Sequence, residues 1–271
     1  MIEIVGKQKG PTSIILAGVH GNEVCGIKAF KQIISTLKIE KGKIIFAYGN
    51  PRAIKANVRF TEANLNRMFK DDNFLSSKEK ESYEYQRAQV LKKYFDQCDT
   101  LFDIHASYTK KSNPFIICQS NSKDITKYLP VNLAVSGFDK VEPGGTDYYM
   151  NKNNKIGITI ECGYLGDPLT TEIAINSILA FIKACGHITN DLSINKQSYI
   201  NMYRLYKTKT NNFTLSKSFN DFEIIQKGQT IGIDGKKEVK ATKDSVILFA
   251  RNTQQSGNEA FLLGEKKNKL K

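Results

Sequence analysis

Histidine is scarce in this sequence of 271 residues, with only three copies, and arginine supplies just six of the forty basic side chains. Cysteine is sparse and poorly spaced for pairing. Cys25, Cys98, Cys118, Cys162 and Cys185 are five in number, scattered, and form no C-x-x-C pair. That argues against a disulfide framework and points to free thiols in a reducing compartment. The opening residues, "MIEIVGKQKG", lack a basic segment followed by an apolar one, so no signal peptide is expected. No apolar run is long enough to cross a bilayer. There is no internal repeat and no low-complexity tract. The expectation is a cytoplasmic, soluble protein with no membrane partner.

The chain is long enough to bury a full core, and 40% hydrophobic with 25% charged residues is ordinary globular composition. Its net charge of +13 comes almost wholly from lysine. These lysines run from Lys7 to Lys271, and aromatic residues do not interleave with them as a stacking platform requires, so a solvated basic surface is favoured over a nucleic-acid platform. Such a field also suits small anionic substrates.

Short apolar segments alternate with amphipathic ones. "TSIILAGV" (12–19), "KIIFAYG" (43–49), "DTLFDIHA" (99–106), "PFIICQ" (114–119) and "KIGITIE" (155–161) read as strands. Helices are expected over 23–38, over roughly 78–96 behind a Ser76 or Ser77 cap, and over 170–186, ending at Gly186. Strands apolar on both faces, separated by helices, predict an α/β fold with a parallel or mixed sheet flanked by helices. Beyond about residue 190 the segments become short and alternating, with an Asp234–Gly235 hairpin signal. Residues 1–192 are therefore expected to form the α/β domain and residues 193–271 a small β-rich domain.

In open α/β sheets, ligands bind beyond the carboxyl ends of the strands. His20, His105 and Glu161 each fall at or just past such an end. A catalytic zinc takes three protein ligands from His, Asp and Glu and keeps a fourth position open. His20-x-x-Glu23, between glycines, can supply two, and His105 is the natural third, with Asp103 two residues earlier as a candidate to orient a ring. The competing reading makes both histidines ordinary polar residues at strand ends. His187, past a helix end, is explained by a helix dipole or the surface and is not recruited. Glu161 is a candidate proton carrier or, equally simply, a salt-bridged carboxylate. Segment 50–69 holds Arg52, Arg59 and Arg67, half of all the arginines. In a chain that otherwise uses lysine, this clustering suggests planar forks for carboxylates, or a loop pinned by ion pairs.

Taken in order, "AGVHGNE", "GNPRA", "RFTEANLNRMF", "DIHAS" and "TIECG" resemble the succinylglutamate desuccinylase/aspartoacylase family of zinc carboxypeptidase-like hydrolases. The resemblance implies a zinc-peptidase-like α/β domain with a small C-terminal β domain. It also implies one zinc per chain on His20, Glu23 and His105, with Glu161 as base and then acid. Arg59 would stabilise the oxyanion, and Asn66 with Arg67 would grip a substrate carboxylate. The family's Asp-Leu-Asn-Arg appears here as Asn64-Leu65-Asn66-Arg67. An arginine expected ahead of the Glu161 strand is missing from "YYMNKNNKIG", leaving Lys152 or Lys155 as stand-ins and N-acetylaspartate a poor fit. Tyr148 and Tyr149, on the glycine-hinged stretch "PGGTDYYM", are further candidate substrate contacts. The implied activity is hydrolysis of a small anionic N-acylated amino acid. The rivals are a metallocarboxypeptidase acting on short peptides and a basic anion-binding protein with a vestigial site.

Overall fold

The computed structural model describes residues 1–189 and 191–270. Its strands are β1 (Ile2–Val5), β2 (Gln8–Ala17), β3 (Lys41–Tyr48), β4 (Thr100–Ser107), β5 (Phe115–Ile117), β6 (Leu133–Ser136), β7 (Ile156–Tyr164), β8 (Ser198–Lys207), β9 (Phe213–Leu215), β10 (Glu223–Ile225), β11 (Thr230–Asp234), β12 (Lys237–Lys240), β13 (Ser245–Leu248) and β14 (Glu259–Lys267). The α-helices are α1 (Cys25–Ile33), α2 (Pro51–Ala56), α3 (Ser77–Glu81), α4 (Tyr83–Phe95), α5 (Lys123–Thr126), α6 (Phe138–Val141), α7 (Thr146–Lys152) and α8 (Thr170–Ala184). Among the described residues, no helix is long and apolar enough to cross a membrane.

One large mixed sheet runs β1-β3-β2-β4-β7-β5-β6-β8-β14-β13-β10, and a small antiparallel sheet runs β12-β11-β9. The expected α/β architecture with a mixed sheet is present. β3, β2, β4 and β7 are parallel, and their buried residues face two cores. Ile15, Ala17, Phe102 and Ile104 pack under α1 and α8, whereas Ile14, Leu16 and Leu101 pack toward α4. Alternation along a strand covered on both faces is why these segments read as unbroken apolar runs. β8 pairs in parallel with β6, so the sheet continues into the C-terminal strands, which also enclose a core of their own around Tyr206, Phe213, Ile231 and Phe261.

Local chemistry corrects two expectations. The helix anticipated over 78–96 is broken at Ser82, whose ψ of 152° is extended. The Ser82 hydroxyl accepts from the Tyr85 N–H and starts α4, while Ser76 and Glu79 close a capping box on α3. His187 is not a surface residue: it is fully buried. Helix α8 ends in a paired motif in which the Gly186 and His187 N–H groups return to Lys183 and Ile182, with Gly186 at φ +80°. This turn drives the imidazole inward. Nδ1 donates to the Lys41 carbonyl (2.9 Å), so Nε2 accepts from the Ser13 hydroxyl (2.7 Å). Replacing His187 by Ala removes both bonds and, although Ser13 keeps the Thr100 hydroxyl (2.7 Å), should cost about 1–3 kcal/mol. A thermal melt checks this, and an unchanged Tm would count against the assignment.

Candidate active site

β2 ends at Ala17, and the chain turns through Gly18 (φ +68°) to His20 and Glu23 before α1 begins at Cys25. The His20-x-x-Glu23 pair therefore lies on the turn, closed by a Glu23 N–H to His20 carbonyl bond of 3.2 Å. Gly21 is packed so tightly on α2 that a Cβ would lie 2.1 Å from the Ala53 carbonyl carbon. That approach lets the Gly21 N–H reach the Arg59 carbonyl and brings the arginine-bearing loop to the turn. From β4 and β7, His105 and Glu161 stand side by side in register. Immediately beyond them β7 carries one extra residue, with Gly163 at φ +100°, a bulge of the kind that re-aims side chains.

The three groups expected to hold a metal converge, with their ligand atoms within 4.8 Å of one another. Glu23 Oε1 lies 2.8 Å from His20 Nδ1, Glu23 Oε2 lies 2.9 Å from His105 Nδ1, and the two Nδ1 atoms are 3.1 Å apart. Asn64 settles the tautomer of His20. Its side-chain oxygen already accepts the Asn66 N–H, so it must also accept from His20 Nε2 at 3.1 Å. Burial and the nearby Arg59 charge lower the His20 pKa to about 4, so the ring is neutral and its Nδ1 presents a bare lone pair. Burial also disfavours the charged forms of Glu23 and His105, but their mutual attraction outweighs it. Glu23 is held well below the usual carboxylate range, and His105, with Asp103 also beside it, well above the usual histidine range. Asp103 Oδ2 lies 3.0 Å from His105 Nε2, within ion-pair distance, and accepts the Thr146 hydroxyl at 2.6 Å. A two-histidine, one-glutamate set of lone pairs facing inward, with at most the His105 proton among them, fits a divalent cation of the zinc type.

Glu161 is buried, and its Oε2 has no hydrogen-bond partner. Burial and the Glu23 charge push its carboxyl well above the usual range. Arg59 donates from Nη1 to Glu23 Oε1 at 2.8 Å and lies 5.3 Å from the Tyr108 ring centroid. Together with Glu161, Asn66, Arg67 and Tyr148, it lines the same pocket as the metal-type cluster. Tyr149 does not line it: its hydroxyl donates to Asp96 (2.8 Å), and its ring packs on Phe95. Residues 146–152 are helical, so consecutive tyrosines there point to different sides. Lys152 pairs with Asp71, and Lys155 donates to the Phe95 and Asp96 carbonyls, so neither stands in for the missing arginine.

Arg67 reaches the pocket with its fork already closed. Its Nε and Nη2 donate to the two oxygens of Glu259, each at 3.0 Å, Nη2 also meets Glu142, and Nη1 donates to the Asn66 carbonyl (2.7 Å). Sequence reasoning missed both carboxylates, because they lie far along the chain. It also missed Glu84, a fully buried carboxylate on α4. Glu84 Oε1 takes the Asn50 side chain and the Thr61 N–H and hydroxyl, while Oε2 takes the N–H groups of Glu62 and Ala63. It thereby fixes the loop that carries Arg59 and Asn64. The arginine clustering in 50–69 pointed at this loop without revealing what holds it.

Residues 9–185 match the model of the succinylglutamate desuccinylase/aspartoacylase catalytic domain. Among curated proteins, the succinylglutamate desuccinylase of Shewanella sp. (strain W3-18-1) is 25% identical over 287 residues, covering 94% of this chain and 83% of that protein. The aspartoacylase of Danio rerio is 34% identical over 121 residues, 41% of this chain and 38% of that protein. Among solved structures, the succinylglutamate desuccinylase of Vibrio cholerae superposes with a TM-score of 0.79 at 19% identity, covering 95% of this chain and 82% of that one. That likeness speaks for the fold. The family match covers well over half of the chain, and with the ordered motifs it leads to one statement: this chain belongs to the succinylglutamate desuccinylase/aspartoacylase family.

Proposed function

We propose that this protein is a zinc-dependent hydrolase that cleaves the amide bond of a small N-acylated amino acid. The observation that carries the reading is the meeting of His20, Glu23 and His105 around one point, with the carboxyl of Glu161, unpartnered at Oε2, lining the same pocket. His20 and His105 would hold the ion through Nδ1 and Glu23 through its carboxylate; Asn64 and Asp103 on the far ring nitrogens keep both rings turned inward. A bound zinc supplies Lewis acidity and makes its water a nucleophile near neutral pH.

The remaining work falls to the side chains. Glu161 takes a proton from the attacking water and returns it to the leaving amine, a role suited to a carboxyl whose ionised form is raised in energy by burial. Arg59, tied to Glu23 through a single Nη1 contact, keeps N–H groups for the carbonyl oxygen as negative charge develops there. Asn66 accepts the Thr146 N–H through its oxygen (3.2 Å), which leaves its amide group to donate to substrate, and Tyr148 adds a contact from α7. Arg67 anchors the loop to β14 through Glu259.

The test is zinc content of protein purified without chelator, beside His105→Ala. The expected outcome is about one zinc per chain in the parent and a large loss in the variant. Metal-free protein that takes up no zinc when it is offered back would reject the proposal. A panel of N-acyl amino acids and short peptides, assayed with the zinc-loaded protein, then measures which amide is cleaved.

A further inference from the structure

A guanidinium that is to stabilise developing charge must be held in place while its N–H groups stay free. Arg67 shows the opposite case, with its fork closed by Glu259 and Glu142. Arg59 gives one N–H to Glu23, from Nη1 at 2.8 Å, which fixes an end of the group but leaves its plane free to turn. A second contact comes from Tyr108, whose ring centroid lies 5.3 Å from the Arg59 Cζ. An aromatic face attracts a cation through its ring quadrupole and takes no N–H from it.

Tyr108 is tied to the same turn that carries the metal-type ligands. The three residues after His20 each hold one part of the arginine–tyrosine pair. The Gly21 N–H donates to the Arg59 carbonyl (3.2 Å), Asn22 Nδ2 donates to the Tyr108 hydroxyl (2.7 Å), and Glu23 takes the guanidinium. The backbone before the ring is pinned as well. The Ser107 carbonyl accepts the Leu165 N–H (2.9 Å), and its hydroxyl donates to Asp221 (2.9 Å) while accepting the Thr109 N–H (3.1 Å). Tyr108 is 47% exposed, so burial alone does not set its place, yet it lines the pocket beside Arg59, His20, Glu23 and His105. Asn22 and the Arg59 guanidinium are what hold the ring there.

We propose that Tyr108 is a positioning residue acting through Arg59. Its ring sets the plane of the guanidinium, so that the N–H groups not given to Glu23 face the amide carbonyl oxygen as charge develops on it. The inference rests on the amide-hydrolase reading and adds to it a residue that moves no proton and is not one of the three clustered ligand groups. It also gives Asn22 a function: through it, one short turn places both the metal-type ligands and the support of the oxyanion donor.

The experiment measures kcat and KM for zinc-loaded wild type, Tyr108→Leu, Tyr108→Phe, Arg59→Met and the double variant, on the N-acyl amino acid found to be cleaved. Tyr108→Leu should lower kcat by roughly ten- to hundredfold, the usual cost of a misplaced group, with KM and zinc content close to those of wild type. Tyr108→Phe keeps the ring and should recover most of that loss. Added to Arg59→Met, Tyr108→Leu should change kcat no further, since the ring acts only through the guanidinium. A merely structural tyrosine would lower kcat equally with and without Arg59; that additivity, or a wild-type kcat in Tyr108→Leu, overturns the proposal. Titration of the zinc-loaded proteins with methylphosphonate, a stable tetrahedral oxyanion, makes the same comparison without turnover. Binding weakened about tenfold in both Tyr108→Leu and Arg59→Met supports the role of Tyr108 even when no amide is cleaved, a failure of the hydrolase reading alone. Methylphosphonate behaviour that is the same in wild type and Tyr108→Leu rejects it.

Discussion

Replacing Glu161 by Gln should leave zinc content unchanged, lower kcat by about two to four orders of magnitude, and raise the melting temperature. The first two effects follow from geometry. Glu161 stands next to His105 in register but is not one of the three clustered ligand groups, so a neutral amide of the same size leaves the ligand set intact. The amide cannot accept and return a proton, so the chemical step loses its carrier. The third effect comes from the unfavourable surroundings of the carboxyl: buried, unpartnered at Oε2, and facing the Glu23 charge. A carboxyl whose pKa is raised on folding contributes stability below its unfolded value, near 4.5, and loses that contribution as pH rises through the folded value. Metal-free Glu161→Gln should therefore gain on the metal-free parent as pH increases from about 4.5 upward. Kinetics, metal analysis and melts at several pH values check all three. Undiminished turnover would remove Glu161 from the mechanism.

How much of this site could be read in the sequence depended on whether a residue's partner lay close in the chain. His20-x-x-Glu23 is a local pattern set by one turn, and His105 and Glu161 were legible as residues at the carboxyl ends of strands, although only the fold shows those two strands to be adjacent. The long β strands were legible because both faces are buried, while the interruption at Ser82 was hidden in a pattern that looked uniformly helical. Glu84, Glu142 and Glu259 were not legible: each is a single acidic residue whose partner lies 21 to 192 residues away. Scarcity of arginine drew attention to Arg52, Arg59 and Arg67 and so to the loop that Glu84 holds. His187 was misplaced because a helix end says nothing about which way the following turn folds; here Gly186 turns it into the core.

Arg67→Met should cost about 3–5 kcal/mol, the usual consequence of removing one partner from a buried ion pair, and lower Tm by on the order of 10 °C. The Arg67 and Glu142 side chains are 15% and 10% exposed, so solvent does little to soften the loss. In the wild type, burial alone would raise Glu259, but Arg67 overcomes it and holds the carboxyl at about 2, while burial and the Glu259 charge push Glu142 up to about 7. Glu259 therefore contributes stability that is complete above its unfolded value near 4.5 and is lost as pH falls toward about 2. Without the guanidinium Glu259 joins Glu142 above the unfolded value, so the Glu259 contribution reverses sign: present at low pH, lost as pH rises. The difference in Tm between wild type and variant should thus be widest near pH 7–8 and shrink as pH falls through about 4.5. Arg67→Met combined with Glu259→Gln should recover much of the loss, since removing both partners leaves a single carboxyl that already carries its proton more readily. A single Arg67→Met change that weakens substrate binding while leaving Tm and its pH dependence untouched would return Arg67 to the role of substrate fork. It would mean that Glu259 yields its place to the ligand.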